Sequence, residues 1–290
     1  YGSVAHYTLQ GDYYSGESGL RMIKPTFAAP FFTLTEESNT QSGGNVLFRL
    51  RREFSDQSDL QIQSYYDRAA RDIFGAELLQ EILDIEFQHR FGLPGRQNFM
   101  YGMGYRYLPD EVIDSPILHF TRRERHSQVF NAFLQDEIDL VEDRLRLTLG
   151  TKLEHNDYTS WEVQPNARLA WIPTDRQTLW WAVARAVQVP GRLVNDTTFT
   201  PFGVFPVSMI PVGPPLGEVP LFVSNDATRG HQLDSQEVIA YEFGYRLQPV
   251  ERLALDAAVF YNRYDGFFAG TPDPPALRLA PIPHLFVAFP

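Results

Sequence analysis

Cysteine is absent from this chain of 290 residues, which excludes disulfide staples and thiolate metal sites. Long hydrophobic runs are absent too: no apolar stretch approaches the roughly 20 residues that a membrane-spanning helix needs. That excludes helical spans only. A membrane β-barrel alternates apolar with polar residues, so its average hydropathy is unremarkable, as the mean of -0.27 is here. Basic clusters are scarce. With a formal net charge of -11 and no basic group longer than Arg122, Arg123 and Arg125, the chain lacks the Lys and Arg density that counterion release from nucleic acid requires. Helical periodicity is nearly missing, and its best example, "GAELLQEILDI", is short and runs directly into a strand pattern. The chain begins at Tyr1 with no initiator Met and no charged-then-apolar leader, so any targeting segment is expected to have been removed or to lie outside this stretch.

What the chain has in quantity is alternation of period two, the mark of strands. In "YEFGYRLQPVERLALDAAVFYNRYDG", Ile239, Tyr241, Phe243, Tyr245 and Leu247 share one face, and Leu253, Leu255, Ala257, Val259 and Tyr261 share one face of the next run. Leu83, Ile85, Phe87, His89 and Phe91 repeat the pattern, as do Phe99, Tyr101, Met103, Tyr105 and Tyr107, and Leu145, Leu147, Leu149 and Leu153. Counted along the chain, such runs predict about eleven strands of roughly ten residues, the length of a tilted strand that crosses a bilayer.

The connections sort by parity. Short breaks at "SDQS", "GLPGRQ", "VEDR", "PTDR" and "PVER" alternate with longer ones at 15–44, 71–81, 108–125 and 191–235, while the link at 156–161 is short. Tight turns at one end and long loops at the other describe an outer-membrane barrel better than a soluble sandwich. Aromatic residues gather near strand ends, at Tyr65 and Tyr66, Tyr105 and Tyr107, Trp171, Trp180 and Trp181, and Tyr261 and Tyr264, where interface belts would need them. The opposite faces carry charges and small residues. Arg49, Arg51, Arg106, Arg144, Arg146, Lys152 and Arg168 are the candidates for a polar lumen wall, where they would guide anionic substrates, solvate the wall or pair with a plug.

Enzymatic signals are weak, and no catalytic residue is assigned. "SGESG" at 15–19 misses the G-x-S-x-G spacing, and Gly102 and Gly104 have no helix after them to make a nucleotide fingerprint. The neighbours Asp136 and Glu137 point to opposite faces of a strand and cannot act as a glycosidase pair, and Glu142 and Asp143 read as a turn. The seven His show no metal-ligand spacing, and neither a metal site nor a cofactor is expected.

The ordered blocks "FLQDEIDLVEDRLRLTLGTKLEHNDY", "QPNARLAW", "AVARAVQVP" and "GGNVLFRLRREFSDQSDLQIQSYYDR" resemble the barrel portion of TonB-dependent outer-membrane receptors. The resemblance implies an all-β fold, a transmembrane antiparallel β-barrel that is partial, with residues 1–290 as one barrel segment. The family barrel has about 22 strands, and its plug domain, coupling box and terminal strand have no counterpart here. It further implies uptake of a scarce nutrient complex, a ferric siderophore or cobalamin, driven by the TonB system through the plug. The implied partners are outer-membrane lipid, the plug, the energy-coupling complex and a metal chelate or vitamin, with no nucleic acid. His126, His155, Trp161 and His231, near predicted external loops, are the candidates for touching such a ligand. The competing reading is a soluble all-β domain that binds or hydrolyses glycans; a third is an outer-membrane barrel enzyme or passive porin.

Overall fold

The computed structural model describes residues 4–25, 32–73, 75–115, 118–199, 221–226, 233–267, 274, 276–279 and 284–289. The principal strands are β1 (Val4–Pro25), β2 (Phe32–Ser55), β3 (Ser58–Ile73), β4 (Ala76–Leu93), β5 (Gln97–Ile113), β7 (Glu124–Val141), β8 (Leu145–Asn156), β9 (Ser160–Thr174), β10 (Gln177–Gln188), β13 (Gln236–Val250) and β14 (Leu253–Asp265). They form one 11-stranded sheet in which each strand pairs with the next of this series. Every pairing in it is antiparallel. Short strands β6 (Leu118–Phe120), β11 (Thr197–Phe199), β12 (Leu221–Asp226), β15 (Ala276–Arg278) and β16 (His284–Phe289) make a second sheet in the order β15-β16-β12-β11-β6. That sheet knits the β5–β7 and β10–β13 connections to the stretch after β14, and its β12–β16 pairing is parallel. Among the described residues the one helix, α1, spans Arg192–Asn195.

Period two decides which residues share a face, and pairing register carries the face from strand to strand. Phe48, Tyr66, Leu83, Tyr107, Phe130, Leu153, Leu169, Trp181, Phe243 and Val259 thereby fall on one side of the sheet. This side is exposed and apolar; Ile85 is 52% exposed, Met103 51% and Val259 64%. A soluble sandwich would bury such a face against a second layer, yet among the described residues nothing covers it. The buried apolar residues are few, Ala69, Ala76, Val112 and Leu118, and all lie toward the long-loop end.

The outward face is banded. Along β4 it runs Phe91, His89, Phe87, Ile85, Leu83 and then Glu81, Leu79 and Glu77; along β3 it runs Leu60, Ile62, Ser64, Tyr66 and then Arg68, Ala70 and Asp72. An apolar stretch flanked by aromatics and ending in charge is the lipid-facing band of a membrane barrel. Tyr13, Tyr66, Tyr107, Trp161 and Tyr261 mark its upper edge, and Phe54, Phe91, Phe99 and Trp171 its lower edge. Alternation sends Tyr65, Trp180 and Tyr264 to the inner face, so only part of the expected aromatic belt faces lipid.

Two expectations are corrected. The eleven strands are 12 to 24 residues long rather than about ten, because several of the expected loops are strand. β1 and β2 pair continuously from Val4↔Glu53 to Pro25↔Phe32 and project well beyond the band. The interval 71–81 is mostly strand, with Ile73 paired to Ala76 and Gly75 at φ 77°, and the segment read as a weak helix belongs to β4 from Ala76 on. Ladders to β3 and β5 pair most of that stretch, which outweighs the mild helical preference of Leu and Glu.

With eleven strands, the two edges β1 and β14 run in the same direction. An antiparallel ring with an even strand count therefore needs an odd number of further strands to close between them.

Candidate functional site

The inner wall is polar and built from cross-strand pairs. Asp84 stands directly opposite Arg106 in the β4–β5 register, and the Arg106 Nε donates to Asp84 Oδ2 at 2.8 Å. Asp84 is only 2% exposed, and the Arg106 guanidinium also lies 5.8 Å from the centre of the Tyr65 ring. Nearer the tight turns, Arg90 donates to Asp59 at 2.6 Å while Arg51 approaches the other oxygen at 3.6 Å. Arg49 donates twice to Gln63 Oε1, at 2.8 and 2.6 Å. Further round the sheet Arg146 bridges Asp139 and Glu137, at 2.9 and 3.4 Å, and Lys152 pairs with Glu154 at 2.7 Å.

Six of the seven wall candidates, Arg49, Arg51, Arg106, Arg146, Lys152 and Arg168, fall on this inner face. Arg144 does not. It lies in the β7–β8 turn, where its Nη1 donates to the carbonyls of Ile172 and Pro173 at 3.3 and 3.1 Å, clamping two tight turns together. Arg168 differs from the rest: among the described residues it has no hydrogen-bond or ion-pair partner, and neither has Glu242. They flank Ala182, since Arg168 is opposite Ala182 on one side and Glu242 on the other. Trp180 lies beside them, with its indole over Gly244, where an added Cβ would come within 2.0 Å of the ring. Together with Arg146 and Thr148 these side chains line an inner-wall hollow of about 370 Å³. Gly102 and Gly104 leave inner-face room for Phe133 and Asn131, whose side chains a Cβ would meet at 2.6 and 2.8 Å.

At the long-loop end a second constellation ties the β10–β13 connection to the wall. Arg125 Nη1 donates to Asp196 Oδ2 at 2.8 Å, with side-chain exposures of 16% and 11%. Its guanidinium also sits 4.1 Å from the centre of the Tyr158 ring. The Asp196 carbonyl accepts from the Thr121 backbone N–H at 2.8 Å. Four residues earlier Arg192 pairs with Asp110 and lies 5.0 Å from the centre of the Phe120 ring. Burial raises the Tyr158 phenol above its ordinary 10.0, with the Arg125 cation opposing and the Asp196 carboxylate reinforcing. Burial likewise pulls the Arg192 guanidinium below its usual range, against the pull of Asp196.

Of the four ligand candidates, two touch each other and one stands apart on the same face. His126, His155 and Trp161 lie on the outward face: His126 stacks on Tyr107 at 5.9 Å, and its Nδ1 is 2.9 Å from the Tyr107 hydroxyl. His155 packs edge-on against Trp161 at 4.9 Å. These three belong to the upper aromatic edge of the band, whose amphipathic rings suit a membrane interface. His231 lies outside the described residues. Among the described residues no group of three or more His, Asp and Glu is placed to hold a metal. Sequence reasoning missed Asp59, Asp84, Asp196 and Tyr158. The first two show themselves once register is known, because each sits opposite an arginine; nothing in the sequence marks the others.

An apolar outer band, a charged inner wall and loops gathered at one end define a segment of a transmembrane up-and-down β-barrel. The family model described as TonB dependent receptor-like, beta-barrel matches residues 4–282, and the chain belongs to that family of outer-membrane receptors. A comparison with curated protein sequences returned no match. Among solved structures, the chain is similar to the ferric enterobactin receptor PfeA (G324V mutant) of Pseudomonas aeruginosa, with a TM-score of 0.68 and 16% identity over 98% of this chain and 44% of that one. It is similar as well to the siderophore receptor PirA of Acinetobacter baumannii, at 0.59 and 13% over 98% and 48%. The FrpB iron transporter of Neisseria meningitidis gives 0.62 and 10% over 97% and 45%. The chain thus spans less than half the length of these proteins.

Proposed function

We propose that this chain forms part of the barrel wall of a receptor that takes up a scarce iron chelate, powered by the TonB system acting through a plug domain. One observation carries this reading: the sheet aligns over nearly its whole length with receptors named for ferric enterobactin, siderophore or iron. The wall chemistry supports it. A lumen lined by paired charges is solvated yet nearly neutral, so it holds a plug without binding one ion tightly. Arg168 and Glu242, unpartnered among the described residues, are assigned to the plug, which would present an acid and a base on either side of the Ala182 gap. Ligand contact is assigned to the inner wall and the long-loop rim rather than to the outward-facing His126, His155 and Trp161. No step of this transport is covalent.

The test is uptake of radiolabelled ferric catecholate and of cyanocobalamin by cells that lack other iron-chelate receptors, with and without this receptor and with and without TonB. The reading expects iron uptake to require both proteins and vitamin uptake to be indifferent to the receptor. Iron uptake that persists without the receptor, or vitamin uptake that depends on it, overturns the assignment.

A further inference from the structure

The β1–β2 ribbon is longer than the strand beside it. β1 and β2 stay paired up to Pro25↔Phe32, whereas the last β2–β3 pair is Gln41↔Arg71. The β2 stretch "FTLTEESNT", 32–40, therefore has a strand neighbour on one side only among the described residues. Its free side can be assigned. The Thr40 N–H donates to Asp72 Oδ2 at 3.0 Å, so Thr40 turns its backbone toward the β3 side, and every second residue beyond it does the same. Ser38, Glu36 and Leu34 thus present N–H and C=O groups along an open edge, and all three are exposed, Leu34 at 58%. The stretch contains no Pro or Lys, and its ladder to β1 shows no bulge, the usual means of closing such an edge. Its only charges are acidic.

The lane beside this edge opens onto an acidic notch. Where β3 and β4 turn back, a hollow of about 770 Å³ lies on the outward face, lined in part by Ser15, Glu17, Thr40, Asp72, Glu77 and Glu111. Of its two arginines, Arg71 alternates to the inner face, and Arg68 has Glu81 as a partner at 3.8 Å. Asp72 stands six residues beyond Tyr66, roughly 20 Å further along the strand and clear of the apolar band. The occupant's chemistry follows from the charges. No three of the carboxylates are placed to hold one metal ion, and together they repel an anionic iron chelate. A second copy of this edge would set Glu36 and Glu37 against like charge. An extended chain with cations spaced along it satisfies both the open ladder and the notch.

We propose that this edge receives a basic, extended peptide segment of an external partner. The segment adds a strand to β2 in the lane beyond β3 and sets Lys or Arg at every second position beside Glu17, Asp72, Glu77 and Glu111. Backbone pairing supplies affinity, and the carboxylates select positive charge. The site lies outside the wall, separate from the path proposed for the iron chelate.

The experiment follows the fluorescence anisotropy of a labelled octapeptide of alternating Lys and Thr, titrated at low salt with the full receptor in phosphatidylcholine nanodiscs, against empty nanodiscs. Binding to the parent receptor is expected. A fully N-methylated copy keeps the charge but cannot pair along the edge, and should bind about tenfold more weakly or worse. Affinity should fall about fivefold when Glu77→Gln and Glu111→Gln are combined. It should also fall in Ser38→Pro, which removes an edge donor that β1 does not use. No binding of the Lys peptide, equal binding of its N-methylated copy or of the same peptide with Glu in place of Lys, or unchanged affinity in either variant overturns the proposal. The two peptide comparisons use the parent receptor, so they decide the matter even where Ser38→Pro disturbs the ribbon.

Discussion

Arginine at Met103 should cost the barrel far more than arginine at Gln88, although the two positions lie on adjacent strands near mid-height. Met103 points outward between Phe87 and Ala132 and is 51% exposed, all of that surface turned toward the apolar band. Gln88 points inward, opposite Gln61 on one side and Gly102 on the other. It makes no ion pair that the substitution would break. A cation on the lipid face near the midplane costs about 2 to 4 kcal/mol, which moves the folding equilibrium roughly 30-fold to 1,000-fold. At Gln88 the new guanidinium reaches a solvated wall with Glu86 close by, so the expected cost is about 1 kcal/mol or less. Urea titration of the receptor folded into lipid vesicles, followed by tryptophan fluorescence, measures both. Equal penalties, or a larger penalty at Gln88, would refute the division of the sheet into lipid and lumen faces.

The Arg125–Asp196 pair is well buried, so Asp196→Ala should cost the rim about 3 to 5 kcal/mol by stranding the cation; proteolysis of the β10–β13 connection should accelerate while the strands stay protected. A double-mutant cycle with Arg125→Ala should recover much of that loss, and additive losses would show that the two do not act as a pair. Tyr158 has a raised pKa in the folded state, so its contribution is complete below the ordinary 10.0 and is lost only as pH climbs through the higher folded value; difference titration against Tyr158→Phe should find this phenol ionising above 10.0, and an ionisation at or below that value would contradict its burial. Arg21 and Glu36, at 2.5 Å, are 67% and 73% exposed, so Glu36→Gln should change stability by less than about 1 kcal/mol, and a large loss would mean that the projecting β1–β2 ribbon packs on something.

Strand identity was the most legible part of the fold. From Leu83 to Phe91 and from Phe99 to Tyr107 the odd positions are almost wholly apolar or aromatic, and the structure puts them on one face as alternation requires. Strand ends were harder to read. The stretch "SGESGLRMIKP" is polar and rich in glycine, which reads as loop, yet it is strand because it pairs outside the membrane, where neither face has to be apolar. Length beyond the band therefore leaves little hydropathic trace. The site was legible in kind and not in membership. Arg106 was a plain wall candidate, but its partner Asp84 depends on a long-range register that no local pattern specifies. His126, His155 and Trp161 carry chemistry suited to a ligand. Proximity to loops suggested that role, whereas the parity of their strands turns them outward, and parity could have been counted from Phe130 and Leu153. The rim around Asp196 depends on a connection whose residues have no periodicity at all.

Because this chain contributes no cysteine, the central claim is directly measurable: single cysteines can be placed at each position from Leu83 to Phe91 in an otherwise cysteine-free receptor and probed in intact outer membranes. The account predicts period two: Asp84, Glu86, Gln88 and Arg90 positions should react with a water-soluble maleimide, limited only by plug cover, while Leu83, Ile85, Phe87, His89 and Phe91 positions should resist it and be quenched by a lipid-borne reagent when labelled. Uniform reactivity, or the reverse parity, would contradict a wall with lipid on one side and an aqueous lumen on the other.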